Sequence, residues 1–126
     1  MAARCDTEPV DDLTSYDGDD FYCDVALRRI ADLEVVAETD LVLAYRHTRP
    51  YWPEHIVVVP KRHLESLITT TAADEPDLRE LFAVVRQLAA DVTLRTGAAR
   101  VLTNLGDYQD SKHLHVHVSS GPATRP

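Results

Sequence analysis

The chain has 126 residues, 44% of them hydrophobic and 27% charged, and its formal net charge at pH 7 is −8. This length fits a single domain with one modest core. No apolar run approaches the roughly 20 residues of a membrane-spanning helix, and no apolar stretch follows the first residues as in a secretory signal. Two cysteines are too few for a disulfide scaffold. These features exclude a secreted miniprotein and a membrane protein, and they predict a protein of the reducing cytoplasm.

The negative charge is concentrated in the first 24 residues, and beyond them acids and bases nearly balance. Neither part has the basic stripe that holds a nucleic-acid backbone. Residues 1–20 are rich in acids and poor in apolar side chains, which is typical of a flexible segment. We expect an acidic leader over residues 1–20 and a folded domain over residues 21–126. A nucleic-acid polymer is excluded as a partner, whereas a small phosphorylated ligand remains open.

The first elements of the domain are a short helix and a hairpin. Residues 21–30 are predicted to form the helix, with Asp20 as its N-cap. The β-rich runs 34–38 and 41–45 are separated by two turn-forming residues, a spacing that predicts an antiparallel hairpin.

A loop, a buried strand and a long helix follow. Two prolines in segment 48–53 predict the loop, and the apolar run 55–60 predicts a strand buried on both faces. A helix is expected from Asp74, its N-cap, to Gly97, which suits a left-handed C-terminal residue. Its apolar stripe recurs at three- and four-residue steps and contains Leu78, Leu81, Phe82, Val85, Leu88, Ala89 and Val92.

The last two predicted strands span residues 100–104 and 113–118. Strands interrupted by one long helix, and joined by short hairpins rather than repeated crossovers, favour an antiparallel α+β domain.

The strand 113–118 carries three alternating histidines. Because successive side chains of a strand point to opposite faces, Leu114 and Val116 should face the core while His113, His115 and His117 share the other face. The imidazoles then repeat about every 6.6 Å. Such a row is too polar to be buried without partners, and ordinary exposed strands rarely place histidine three times in succession.

Three kinds of chemistry use such a row. Imidazole is a common zinc ligand, but three histidines of one straight strand seldom converge on one ion. Histidine also serves in general acid–base catalysis because it titrates near neutral pH. Finally, a central imidazole can attack phosphorus while its neighbours orient it and stabilise the oxyanions.

These residues resemble the motif of the histidine triad family of nucleotide hydrolases and transferases, particularly its bacterial members. Residues 113–118 match His-φ-His-φ-His-φ, where φ is apolar, although polar Ser119 fills the final apolar position. Gln109 stands upstream, where the family usually carries glutamine. Residues 55–63 are similar to a second family segment, His-x-apolar-apolar-apolar-Pro-Lys-x-His.

The resemblance implies a HIT-like α+β fold. Its antiparallel sheet would have about five strands with one long and one short helix, and it would extend across a homodimer. It also implies an enzyme that transfers or hydrolyses a nucleoside monophosphate group, with a purine nucleotide as ligand and no cofactor required for the chemical step. A dinucleoside polyphosphate hydrolase or phosphorylase is an alternative, and a non-catalytic nucleotide- or zinc-binding module is another.

Site residues follow from the matched positions. By resemblance, His115 is the nucleophile that forms a nucleotidyl-histidine intermediate, and His117 hydrogen-bonds the phosphoryl oxygens or the leaving group. His113 would orient its neighbours, His55 would support the triad from the adjacent strand, and Gln109 would contact the phosphate or the leaving group.

The resemblance also implies a nucleotide-binding set, in which this chain departs from the family pattern. Asn104 matches a family asparagine near the ribose and phosphate. Two places after the aromatic Tyr45, the family usually has a carboxylate that holds the ribose hydroxyls, and His47 stands there instead. Asp110 replaces a hydroxyl residue that donates to phosphate, so it either points away or contacts a basic leaving group.

Many bacterial members have a Cys-x-x-Cys zinc site completed by two histidines. Cys23 stands at the second cysteine position, Asp20 replaces the first, and His63 and His113 occupy the other two. Zinc accepts an Asp oxygen, so the resemblance implies either a structural zinc site or, alternatively, a buried structural thiol at Cys23.

Overall fold

A computed structural model describes residues 20–125 of the chain. The predicted leader, apart from Asp20, therefore lies outside the described residues, and the boundary between leader and domain stays a prediction. Apart from short 3₁₀ turns, these residues form two α-helices and five strands: α1 Phe21–Asp24, β1 Val35–Glu38, β2 Val42–Arg46, β3 Glu54–Pro60, α2 Glu75–Thr96, β4 Arg100–Leu102 and β5 Val116–Ser120. None of the described helices is long and apolar enough to cross a membrane.

The five strands form one antiparallel sheet in the order β1-β2-β3-β5-β4. The predicted hairpin is β1 and β2, and the continuous apolar run forms β3 at the centre of the sheet, where it is buried along most of its length. Together with one long and one short helix, this sheet confirms the predicted α+β fold.

Each face of the sheet carries its own apolar cluster. One cluster lies between the sheet and α2 and includes Leu114, Val116 and Val118, as the alternation in their strand predicts. The second cluster lies on the opposite face, where residues 21–33 pack against Tyr45 and Val57. The predicted histidine row therefore projects away from α2, towards the segment that begins with α1.

The long helix ends where its sequence predicts. Gly97 closes it with φ of 93°, in the left-handed region. The side chain of Asp74 instead accepts a hydrogen bond from the backbone N–H of Thr71, within the turn before the helix. The predicted stripe is wrong at Phe82, which is 42% exposed. Val84 is buried in its place, because the face towards the sheet passes through Leu81 and Val84 rather than through Phe82.

Other elements are also shorter than predicted, including β4, which ends at Leu102 rather than at residue 104. Asp20 caps α1 by accepting the N–H of Cys23, but the α-helix stops at Asp24 and continues as 3₁₀ turns. Arg28 Nε donates a hydrogen bond to the Cys23 carbonyl, which would accept a backbone N–H if the α-helix continued. The last strand begins at Val116 rather than at residue 113, because the N–H of Leu114 bonds to the Leu64 carbonyl outside the sheet.

Candidate active site

A cavity of about 480 Å³ opens on the face of the sheet opposite α2. The strand register explains why histidines line it. Tyr45 pairs with Val57 and Val57 pairs with His117, so these three side chains share one face. His55 lies two residues before Val57 on the same strand and points the same way. The sheet thus presents His55 and His117 side by side.

Hydrogen bonds fix the proton positions on these two rings. The backbone N–H of Tyr51 donates to His55 Nδ1 at 3.0 Å, so the proton of the neutral His55 ring is on Nε2. That nitrogen lies 2.8 Å from His117 Nδ1 and donates to it. The remaining proton of the neutral His117 ring is therefore on Nε2. A directed chain of donors runs from the Tyr51 backbone through both histidines to an N–H at His117 Nε2.

The ring of His115 has the opposite arrangement. Its Nδ1 donates to the His113 carbonyl at 2.7 Å, which leaves Nε2 with a lone pair. The ring is 5.1 Å from the His117 ring and 4.8 Å from the Tyr22 ring, between centroids. Buried Tyr22 therefore fixes one side of the imidazole, while His117 stands at its edge. This pair offers a ligand one nucleophilic nitrogen and one neighbouring N–H donor.

The histidines of the cavity are held neutral. Burial, reinforced by the neighbouring imidazoles, lowers the pKa of His117 to about 3 and that of His55 to about 4. Burial and the charges of His55, His115, Arg125 and Arg49 lower the pKa of His47 to about 3. Burial also lowers the pKa of His115, against the opposing effect of its hydrogen bond to the His113 carbonyl. Near neutral pH the lone pair on His115 is consequently available.

The cavity brings together most of the predicted site residues, namely Tyr45, His47, His55, Asn104, Asp110, His115 and His117. The ring of His47 stacks on His55 with 4.3 Å between centroids and lies 5.8 Å from His117. Asp110 also lines the cavity, and its negative charge partly opposes the lowering of the His115 pKa. The part of the cavity beside His47 and His55 forms one flank of the site.

The other two predicted catalytic residues lie behind the cavity. Gln109 is buried, and its amide nitrogen donates to the carbonyls of Glu65 and Ser111. It braces the loop that carries Asp110, and its predicted contact with phosphate stays a prediction. His113 is fully buried, with Nε2 donating to the Pro60 carbonyl at 2.8 Å. Its own carbonyl accepts from His115, so it orients that ring from behind.

A second group of ligating side chains surrounds the other nitrogen of His113. His113 Nδ1 lies 3.3 Å from the Cys23 sulfur and 3.4 Å from the Asp20 carboxylate. His63 Nδ1 lies 2.6 Å from that carboxylate and 3.6 Å from the sulfur. These four residues, which we call the His113 cluster, are placed so that they could hold one metal ion. Burial alone would raise the pKa of Asp20, but His113 and the N–H of Cys23 hold it below its usual value.

The sequence interpretation missed several residues of the cavity. Tyr22 and Ser111 both line it, and Ser111 accepts a hydrogen bond from the Phe21 N–H. Arg125 reaches it from the other end of the chain. Ser111 carried a signal, since it is a hydroxyl next to Asp110 where the family places a donor. Tyr22 and Arg125 carried none, because only the tertiary fold brings them to the histidines.

Comparisons with known proteins agree with this geometry. A HIT-like protein of unknown function from Synechococcus elongatus is 35% identical over 96 residues, which cover 75% of this chain and 84% of that protein. A HIT family hydrolase from Legionella pneumophila has a TM-score of 0.66 and 26% identity over 75% of this chain and 87% of its own. A HIT-like protein involved in cell-cycle regulation from Bartonella henselae shares the fold, with a TM-score of 0.70 and 21% identity over 89% and 86% of the two chains. The HIT domain profile matches residues 28–123, and the chain therefore belongs to the histidine triad, or HIT, domain family.

Proposed function

We propose that the protein is a nucleotide hydrolase or nucleotidyl transferase. It acts at the α-phosphate of a nucleoside phosphoramidate or a related adenylate. The observation that carries this proposal is the tautomer of His115, whose Nδ1 donates to a backbone carbonyl and whose Nε2 is left as a nucleophile in the cavity. The similarity to a HIT family hydrolase supports an enzymatic role.

The reaction takes two displacements at phosphorus. The lone pair of His115 Nε2 forms a bond to phosphorus, while the bond from phosphorus to the leaving nitrogen breaks and the amine takes a proton from solvent. His117 donates from Nε2 to a phosphoryl oxygen, where negative charge increases. A water oxygen then attacks the nucleotidyl-histidine, the P–N bond returns its electrons to Nε2, and the proton of the water passes to solvent.

The charge beside His115 favours an amine over a polyphosphate as the leaving group. The Asp110 carboxylate lines the cavity and acts electrostatically on His115, so it attracts a departing ammonium group. A pyrophosphate or longer phosphate chain would be repelled. This contrast supports phosphoramidates over dinucleoside polyphosphates. The apolar part of the lining, which includes Phe21 and Leu102, suits the flat face of a purine base.

The test is intact-protein mass spectrometry after brief mixing with adenosine 5′-phosphoramidate, with AMP release followed in parallel. We expect a covalent AMP adduct or steady release of AMP, both absent in His115→Ala. That variant should keep AMP affinity within about tenfold, because it loses a group that acts mainly in the transition state. Arg86→Gln, an exposed change on α2, is the matched control and should behave as wild type.

Two outcomes would contradict the proposal. Unchanged turnover in His115→Ala would refute the assignment of the nucleophile. Binding of AMP without adduct or release on phosphoramidates and aminoacyl adenylates would favour the non-catalytic nucleotide-binding module instead.

The Cys23 sulfur is disulfide-bonded in the structure. We further propose that the His113 cluster binds a structural zinc ion once this disulfide is reduced. Its donor set of one sulfur, one carboxylate and two imidazoles is chemically suited to zinc, and its donor atoms all lie within 4.8 Å of one another. The bond from His113 Nε2 to the Pro60 carbonyl would fix the ligating tautomer. Metal analysis of protein purified under reducing conditions should find about one zinc per chain, and fewer in His63→Asn. Less than about 0.1 zinc per chain would refute this site.

The predicted homodimer is also a proposal. Strand β4 is one of the two outer strands of the described sheet, and its central residue Val101 is 51% exposed. An apolar residue on a short outer strand suits pairing with a second copy of the sheet. Light scattering should give twice the mass of one chain, and Val101→Lys should shift the protein towards monomer.

A further inference from the structure

Two arginines stand at the flank of the cavity beside His47. Arg49 and Arg125 both line the cavity. Within residues 20–125, neither guanidinium has a carboxylate within ion-pair distance. Other arginines of the chain, such as Arg46 and Arg95, are paired with acids. This flank therefore carries two positive charges that the described part of the protein does not neutralise.

The position of Arg125 is fixed by neutral groups. Its Nη2 donates to the Arg49 carbonyl at 2.8 Å and its Nε to the Pro50 carbonyl at 3.3 Å. The guanidinium carbon lies 3.8 Å from the centre of the Tyr51 ring. The N–H of Thr124 also bonds to the Tyr51 carbonyl at 2.6 Å. Carbonyls and an aromatic face orient the cation but leave its full charge for an incoming anion.

His47 connects this flank to the reacting centre. The backbone N–H of Arg49 donates to His47 Nδ1 at 3.0 Å, so the neutral ring carries its proton on Nε2. The centroids of the His47 and His117 rings are 5.8 Å apart. If the α-phosphate contacts His117, this separation leaves room for one sugar ring between the phosphate and His47. Both arginines contribute, after burial and the neighbouring histidines, to the lowered pKa of His47. This flank therefore offers an N–H donor, at His47 Nε2, beside two cations.

We propose that this flank binds a second phosphate, carried on the sugar of the nucleotide. The preferred ligands are nucleoside 5′-phosphoryl compounds with a further phosphate at the 3′ or 2′ oxygen. The inference rests on the proposed function, because it takes the α-phosphate to lie between His115 and His117. A second phosphate on the 5′ side, beside His115, would instead meet the negative charge of Asp110.

The experiment measures the dissociation constants of AMP, ADP, adenosine 3′,5′-bisphosphate and adenosine 2′,5′-bisphosphate by calorimetry. We expect one of the two bisphosphates to bind about tenfold tighter than AMP at about 0.05 M salt. The preference should fall to about threefold at about 0.5 M salt, because an exposed charge such as that of Arg49 is screened. ADP should gain much less than the preferred bisphosphate.

Variants assign the preference to this flank. In Arg49→Gln/Arg125→Gln the ratio between bisphosphate and AMP affinity should fall to about one. In His47→Asp both arginines remain, but the new carboxylate neutralises part of their charge. The ratio between bisphosphate and AMP affinity should therefore fall in this variant too. Arg86→Gln, which removes an exposed arginine far from the cavity, should leave the ratio at its wild-type value.

The outcomes separate this inference from the proposed function. If AMP binds but neither bisphosphate binds more tightly, or if ADP alone is preferred, the sugar-phosphate site is refuted and the proposed function stands. A preference that survives both the double variant and His47→Asp refutes the assignment to these arginines. If no adenosine nucleotide binds at all, the proposed function itself fails.

Discussion

Acid sensitivity of the fold should depend on His47 in a measurable way. Its pKa in the folded protein is about 3, whereas the ordinary value is 6.5. Below pH 6.5 the unfolded chain binds a proton on this imidazole that the folded chain does not. The stability that the neutral ring contributes is therefore complete above pH 6.5 and is lost as the pH falls towards 3.

The magnitude follows from these two pKa values. At pH 5 the unfolded imidazole is almost fully protonated and the folded one is almost fully neutral. Integrating the difference from pH 7 to pH 5 gives about 2 kcal/mol for this group. That is a substantial share of the roughly 5 to 15 kcal/mol that stabilises a typical domain.

The assay compares urea unfolding of wild type and His47→Asn at pH 7 and pH 5. Asparagine can keep the acceptor for the Arg49 N–H but does not titrate. We expect the free energy of unfolding to fall by about 2 kcal/mol less in the variant than in wild type over this interval. Leu94→Asn is the control, since it places the same side chain at an 86% exposed position and should retain the wild-type loss. Equal losses in wild type and His47→Asn would refute the reasoning.

Two matched pairs of substitutions test the packing. Leu81→Ala, at a fully buried position between α2 and the sheet, should lower the free energy of unfolding by about 2 to 5 kcal/mol, whereas Leu94→Ala should change it by less than about 0.5 kcal/mol. Gly121 and Gly97 both have positive φ, but only at Gly121 would a Cβ meet another residue, at 2.9 Å from Pro53. Gly121→Ala should therefore cost about 2 to 4 kcal/mol and Gly97→Ala about 1 kcal/mol, each measured by urea unfolding. Similar losses within either pair would contradict this account.

Features of the fold that depend on neighbouring residues were predictable from the sequence. The cap at Asp20, the hairpin of β1 and β2 and the left-handed end at Gly97 are each specified by a few adjacent residues. Phe82 was misplaced because its spacing fits a helical stripe equally well, and only the orientation of α2 on the sheet decides which flank is buried.

The candidate site was predictable where it follows from strand alternation. His117 reaches the cavity because a strand alternates its side chains, and His115, which immediately precedes β5, reaches it as well. The tautomers could not be predicted, since they depend on backbone groups such as the Tyr51 N–H and the His113 carbonyl. Arg125 could not be placed either, because the carbonyls that fix it lie some 75 residues earlier in the chain.

His113 takes part in two structures at once, with its ring in the cluster and its carbonyl on His115. In a saturation-mutagenesis screen that measures turnover, substitutions of His113 and of His115 should therefore both abolish activity. Of these two residues, only His115 lines the cavity. A small side chain at position 113 would keep the backbone carbonyl that accepts from His115. It would lose the ring contacts, such as that with the Pro60 carbonyl, that hold this backbone in place. Such alleles should be rescued by second-site changes that rigidify residues 61–65, whereas alleles at His115 should have no suppressors. The pattern of suppression would thus distinguish a scaffold histidine from a reacting one within the same motif.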